Sequence, residues 1–156
     1  MRLGFTLLEL LIVIAIISIL AIAGFGSFLN SIKSGKDAHR KTDLNSIQKA
    51  LELYYQDSQA YPIPVGTSLP STDGSLCHPT DCDTATYLKT LPGDVNGTAY
   101  YYNSDGTSYQ LYSCLENAND TGPGVNQAGY VGTSCGNAGT RCEICRYGIS
   151  SPNTIP

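Results

Sequence analysis

The chain has 156 residues, a formal net charge of −4 at neutral pH and only 14% charged residues. That length accommodates one domain plus an appendage, and the low charge excludes a polyelectrolyte-type disordered chain. Beyond Asp57 three basic residues (Lys89, Arg141 and Arg146) stand against eight acidic ones. This distal part lacks the positive charge that phosphate neutralisation requires, so nucleic acid is not expected as a partner.

Residues 10–32 contain no charged side chain, and residues 5–28 are almost wholly apolar, with Thr6, Glu9, Ser18 and Ser27 as the polar exceptions. Such a run is long enough to span a bilayer as a helix. An ordinary secretory signal has a shorter apolar core followed by a small-residue cleavage site, whereas here only Met1, Arg2, Leu3 and Gly4 precede the run. Arg2 lies on one side and Lys33, Lys36, Arg40 and Lys41 on the other, so positive charge leaves the orientation open. The cysteines, all C-terminal to the run, place the distal part in an oxidising space outside the cytoplasm. Glu9 is the anomaly. A carboxylate within a lipid-spanning run costs about 2.5–3.5 kcal/mol, which marks it as a functional residue unless it simply reaches headgroup water.

The stretch Gly4-Phe5-Thr6-Leu7-Leu8-Glu9-Leu10-Leu11-Ile12-Val13, continuing to Ile17, resembles the processing and methylation signature of type IV prepilins and type II secretion pseudopilins. The resemblance implies a leader of residues 1–4, cleavage between Gly4 and Phe5 by a membrane prepilin peptidase, and N-methylation of Phe5. It implies an assembly role for Glu9, whose carboxylate would pair with a neighbouring subunit's N-terminal ammonium. Both charges suffer desolvation in an apolar filament core, and only the correct axial stagger pairs them. The partners so implied are identical subunits in a helical filament, the prepilin peptidase and an inner-membrane assembly platform. The expected fold is α+β and type IV pilin-like: a long N-terminal helix, transmembrane in its first half, packed on a small antiparallel sheet with Cys-stapled loops. Many family members carry a kinking proline where this chain has Gly24-Phe25-Gly26. Here the glycines supply either a soft segment or close helix packing, and both readings stay open.

Further along, Leu44, Ile47, Leu51, Tyr54 and Tyr55 recur at helical spacing between polar residues, an amphipathic continuation. A single helix over residues 5 to about 55 would be about 75 Å long at 1.5 Å per residue, far more than one bilayer. The chain therefore divides into a leader (1–4), a transmembrane and assembly half (5–28), an amphipathic half (29–57) and an extracytoplasmic domain (58–156). Before assembly it is expected as a single-pass protein of the inner membrane.

Pro62 and Pro64 end the helical pattern. Residues 61–83 read as a loop pinned by Cys77 and Cys82, and Thr84 to Thr90 is compatible with a short helix. Residues 99–103 and 108–114 are aromatic-rich runs about Ser104-Asp105-Gly106-Thr107, a hairpin signal. The Gly- and Asn-rich remainder allows at most short strands near Tyr130-Val131 and at 146–149. Asp43 to Leu51, Tyr54-Tyr55, Ala60-Tyr61-Pro62, Tyr87-Leu88, Leu91-Pro92, Asp94, Gly97, Tyr100 and Tyr102 are similar to the major, G-type pseudopilin of type II secretion. The resemblances cover roughly the first two thirds of the chain; the tail from Gly122 does not match, and that subfamily's calcium site finds no place on it. Glu116, Asn117, Asn119 and Asp120 offer oxygen ligands, but a hard-cation site needs six or more, and the cluster reads as a solvated loop. Calcium binding stays open with no site placed for it, and no other cofactor is expected.

Cys77, Cys82, Cys114, Cys135, Cys142 and Cys145 suggest three disulfides, with Cys77–Cys82 a plausible local pair and the rest of the connectivity open. The Cys142-Glu143-Ile144-Cys145 motif could alternatively be a redox dithiol or half of a zinc site with Cys77, His78 and Cys82. No βαβ pattern surrounds it, and an oxidising space favours disulfides. No catalytic constellation is recognisable elsewhere. The sequence thus points to a structural filament subunit, of a type IV pilus or a secretion pseudopilus, against two other classes: a membrane-anchored thiol oxidoreductase, and a tip adhesin or DNA-uptake subunit using its tyrosines as stacking surfaces.

Overall fold

The computed structural model describes residues 4–95, 97–130, 132–136 and 142–156, with side chains omitted at 23–25. Helix α1 runs Leu7–Ser58, and five strands follow: β1 Leu76–Cys77, β2 Thr86–Leu88, β3 Tyr101–Ser104, β4 Tyr109–Cys114 and β5 Cys145–Ser150. They form two antiparallel sheets, β1-β2 and β3-β4-β5. The architecture is α+β and pilin-like, as the sequence implies.

Helix α1 departs from straightness: Leu7–Ile22 and Gly26–Ser58 are inclined at 43°. No single straight piece is long and apolar enough to cross a membrane, whereas the bent pair is, by length and composition. The side chain of Phe25, between the two glycines of the soft-segment reading, lies outside the described residues. The helix ends where Gln59 takes the left-handed conformation (φ 57°) and donates its N–H to the Tyr55 carbonyl. Tyr61 then donates its N–H to the Gly106 carbonyl at 2.8 Å, tying the exit of the helix to the β3-β4 turn.

The second half of α1 carries the core. Leu44, Ile47, Leu51 and Tyr54 follow one stripe and are buried against Tyr102, Tyr109, Leu111 and Leu115. Strand alternation does the rest. Tyr102 pairs with Leu111 and Ser104 with Tyr109 toward the helix, while the intervening pairs Tyr101–Tyr112 and Asn103–Gln110 belong to the opposite face. Buried phenols find partners: Tyr109 and Tyr61 donate to the Glu52 carboxylate at 3.0 and 3.1 Å, and Tyr102 to the Pro62 carbonyl at 2.8 Å. The expected turn is present, with Gly106 at φ +88° and Asp105 Oδ1 accepting the N–H groups of Thr107 and Ser108 at 2.8 Å each.

Two local expectations are corrected. Thr84 to Thr90 forms no helix: Thr86–Leu88 pairs with Leu76–Cys77, because the Cys77–Cys82 disulfide folds the chain back on itself and Tyr87 packs edge-on against Tyr54. Tyr130 is in no strand, although its N–H reaches the Cys145 carbonyl, and Val131 lies outside the described residues. The strand near 146–149 is present and longer, as β5. The cysteines pair Cys77–Cys82, Cys114–Cys142 and Cys135–Cys145. Cys114, Cys135, Cys142 and Cys145 gather with Tyr112, Tyr101 and Tyr130 into a second small core on the sheet face away from α1.

Candidate functional site

Gly4, Phe5 and Thr6 precede the helix in non-helical backbone, and Phe5 is 85% exposed. Thr6 is the N-cap, extended at φ −82° and ψ 150°. Its hydroxyl accepts the Glu9 N–H at 3.2 Å, and the Glu9 carboxylate accepts the Thr6 N–H at 3.1 Å and the Thr6 hydroxyl at 3.0 Å. This is a capping box, which satisfies two of the orphan donors at the start of the helix. Glu9 is thereby held at the very start of an apolar helix, with its carboxylate folded back toward Phe5. A Cβ built on Gly4 would meet nothing within 4 Å, so no atom of this chain demands a glycine there.

From Leu7 onward the helix lays out an uncovered apolar surface. Leu7, Leu11, Ile14, Ile17 and Leu20 are all more than half exposed. Cover extends over the second half alone, where the domain begins at Asp37. The first half is therefore a surface awaiting an apolar environment, whether lipid or other helices.

At the boundary between the two halves sits a buried ionic hub that sequence reading missed. Arg40 has no exposure; its guanidinium donates to Asp94 at 3.0 Å, Asp37 at 2.8 Å and Glu116 at 3.0 Å. Asp37 also accepts the backbone N–H groups of Glu116 and Asn117, at 2.9 and 2.8 Å. Burial alone would lower the Arg40 pKa, but the charges of Asp94, Glu116 and Asp37 outweigh it and hold the pKa above its ordinary value. Next to it Lys41 reaches Asp120 at 2.6 Å and lies 5.3 Å over the Tyr147 ring, and its bond holds the Asp120 carboxyl below the usual range. A signal was available: Asp37 and Arg40 continue the buried stripe of Leu44, Ile47 and Leu51 by one helical turn, so their charges had to meet partners across the interface.

The hub also decides the oxygen cluster at 116–120. Glu116 is engaged by Arg40 and by Lys36 at 3.7 Å, Asp120 by Lys41 and the Gly122 N–H, and the Asn117 side-chain oxygen by the Asn119 N–H. With two carboxylates neutralised by the chain's own cations, these residues do not fit a calcium ion, which needs six or more oxygens. Among the described residues one other set of ligand-type atoms converges, Asp94 with Cys114 and Cys142, but those sulfurs share a disulfide and Asp94 holds Arg40. The zinc and redox readings of the CxxC lose their basis as well. Cys142 and Cys145 belong to two different bridges, and Cys77 and Cys82 to a third.

Comparison with known proteins bears on both ends of this geometry. The profile of the "prokaryotic N-terminal methylation motif" matches residues 1–25, and that of "Type II secretion system (T2SS), protein G" matches residues 27–134, so the match runs past Gly122 and stops just before the tail cysteines Cys135, Cys142 and Cys145. Proteins described as type II secretion system core protein G are similar. The one from Pseudomonas aeruginosa is 32% identical over 114 residues (70% of this chain, 80% of the relative), and that of Vibrio cholerae serotype O1 is 32% identical over 104 (66% and 71%). The one from Escherichia coli K12 is 26% identical over 153 residues (94% and 92%). No solved structure is significantly similar to the chain. Since the profile covers more than half of the residues, including the Arg40 hub and the β3-β4 hairpin, the chain belongs to the type II secretion system protein G family.

Proposed function

We propose that the chain is a processed, membrane-anchored structural subunit that polymerises into the type II secretion pseudopilus. The observation that carries this reading is the uncovered apolar half of α1 with one acidic residue, Glu9, at its first turn, on a chain of the protein G family. Secretion rather than a type IV pilus follows from the family.

In this reading residues 1–4 are a leader, removed between Gly4 and Phe5 by a prepilin peptidase that then methylates Phe5. The bond lies in exposed, non-helical backbone, the conformation a protease can take up, and the glycine answers a demand from outside the chain. The apolar half of α1 anchors the subunit singly in the inner membrane, with residues 58–156 outside the cytoplasm, where three disulfides persist. Identical subunits bury that half against one another, aided by the assembly platform. The subunit acts as a building block without catalysis and without a bound cofactor.

Glu9 registers the incoming subunit. In the free chain its carboxylate is occupied by Thr6, so it waits at the helix start as a satisfied cap; in the filament the Phe5 ammonium of a neighbour pairs with it. Glu9→Gln tests this. The amide oxygen still accepts the Thr6 N–H, so the cap, membrane insertion and cleavage after Gly4 survive, while the charge is gone. An unpaired ammonium in an apolar core typically costs several kcal/mol. Expressed as the sole copy, Glu9→Gln should give processed protein, with mass spectrometry showing an N-terminal methylated Phe5, and little sheared filament. Normal filament yield would overturn the registering role, and an intact Met1 terminus in an active-peptidase background would overturn the processing.

A further inference from the structure

The disulfides stand in unlike surroundings. Cys114 and Cys145 have no exposure, Cys142 is 4% and Cys135 5% exposed, and all four pack with Tyr112 behind the sheet. Cys77–Cys82 instead closes the tip of the β1-β2 hairpin, where Cys82 is half-buried and no residue of 78–85 is buried. The hydrogen bonds of the tip stay local: the His78 N–H to the Ala85 carbonyl, the Thr84 N–H to Asp81, the Thr86 hydroxyl to the Cys82 carbonyl, and the His78 ring with the Thr80 hydroxyl. The body of the hairpin is held from elsewhere. Leu76 is 2% exposed in the main core, the Leu91 N–H reaches the Gly74 carbonyl, and Tyr87 rests on Tyr54 and donates to Asp57.

A disulfide resists reduction when the fold holds its sulfurs together after opening and when no thiolate can approach it. The tail bridges meet both conditions, since their sulfurs are buried and Cys114 and Cys145 are fixed opposite each other by the β4-β5 ladder. The hairpin tip meets neither: it is open to solvent, and its opened thiols drift apart without uncovering the core. The two sulfurs of this bridge are also unequal. Cys77 lies screened in β1 at 9% exposure, whereas Cys82 stands between the exposed Asp81 and Asp83. Their negative charges disfavour a thiolate at Cys82, which makes Cys77 the better leaving group. The Ser75 hydroxyl donates to the Thr72 carbonyl at 2.6 Å and sets its oxygen 3.1 Å from Cys77 Sγ, placed to accept the thiol proton that opening creates.

We infer that Cys77–Cys82 is an exchange site for the dithiol of a CxxC-bearing protein outside the cytoplasm, attacked at Cys82, while the other bridges stay closed. One thiolate of the partner bonds to Cys82 Sγ as the Cys77–Cys82 bond breaks, and Cys77 leaves as a thiolate that takes a proton. A monothiol at this stage is expelled again by the nearby Cys77, which is why the partner needs a second thiol. That second thiol, deprotonated, closes on the first and releases Cys82 to take the other proton. The bridge thus gains two electrons and two protons, and the partner's dithiol becomes a disulfide. The hairpin loosens from its Cys77–Thr86 end, while Leu76 and Tyr87 keep it docked on α1.

The test uses the full processed chain with its disulfides intact, in detergent micelles. It is equilibrated with graded ratios of reduced to oxidised thioredoxin, quenched in acid, alkylated and mapped by mass spectrometry. Cys77 and Cys82 should open together, with an equilibrium constant for reduction about tenfold or more above that of either other bridge, a gap of about 30 mV. Thioredoxin lacking its second cysteine should be caught on Cys82. The double variant Cys77→Ser with Cys82→Ser should keep the tail bridges and the near-UV tyrosine spectrum. Opening of all the bridges together, opening of a tail bridge first, or capture on Cys77 would overturn the inference. So would a Cys77–Cys82 bridge that stays closed in excess reduced thioredoxin, or a double variant that fails to fold.

Discussion

Replacing Arg40 with methionine is the sharpest probe of what holds the helix to the domain. The substitution keeps an unbranched chain of comparable reach and removes three charge-assisted hydrogen bonds of 2.8–3.0 Å. Each such bond is worth about 1.5–3 kcal/mol, but the sum overstates the loss, since some partners remain served. Asp37 keeps the N–H groups of Glu116 and Asn117, and Glu116 keeps Lys36. Asp94, only 6% exposed, loses its ion pair with Arg40. Breaking a buried pair from one side costs about 3–5 kcal/mol, and that is the expected destabilisation of Arg40→Met. At about 4–8 °C per kcal/mol for a domain of this size, the midpoint should fall by at least about 12 °C. Thermal scans of the full chain in micelles, followed by tyrosine near-UV circular dichroism, would measure it. Arg40→Lys should lie between parent and Met, because one ammonium cannot serve three carboxylates in the fork geometry. A midpoint for Arg40→Met within about 3 °C of the parent would refute the view that the hub fixes the helix to the domain.

Other consequences follow from the same packing. Tyr61 and Tyr87 are pushed up to about 12, by burial first and then by the Glu52 and Asp57 carboxylates they donate to, and burial pushes Tyr100 and Tyr109 higher still. Unfolded tyrosines ionise near pH 10, so the stability these groups supply is complete below about that pH and is lost as pH rises to 12 and beyond. Absorbance at the phenolate band should show late ionisation coinciding with loss of structure; all eleven tyrosines titrating together near 10 in a folded chain would contradict it. Gly148→Ala would place a Cβ 2.7 Å from the Tyr112 ring and 2.9 Å from Pro156, so a loss of about 1–3 kcal/mol is expected in urea denaturation, and an unchanged midpoint would show that the ring has room to move. Finally, since Arg40 and Lys41 neutralise Glu116 and Asp120, a chelator or added calcium should shift the thermal midpoint by no more than about 2 °C; a larger drop on chelation would place a cation where the hub now stands.

Local information was enough for the elements that depend on neighbours in sequence. The apolar run from Phe5, the anomalous Glu9, the core stripe of Leu44, Ile47 and Leu51, and the turn at Asp105-Gly106 all follow from side-chain periodicity and backbone preference, and each is where the sequence places it. The N-terminal methylation motif was legible for the same reason: it is a contiguous linear pattern over residues 1–25. Residues 84–90 misled because a three-residue strand has almost no period of its own, and its conformation is imposed by the Cys77–Cys82 bridge and by Tyr54.

Tertiary structure alone decided which charges meet. Arg40 reaches Asp94 across 54 positions of sequence and Glu116 across 76, and no local pattern encodes partners at such separations. The same holds for Cys114 with Cys142, for the sheet face onto which the tail folds, and for the use of carboxylates at 116–120, which as a sequence look like candidate metal ligands and in the fold are counter-ions to the helix. Periodicity tells which face of α1 is buried. Only the docked domain determines what that face is buried against, because the ionic partners lie on loops whose positions are set by the sheet and the disulfides rather than by their own residues.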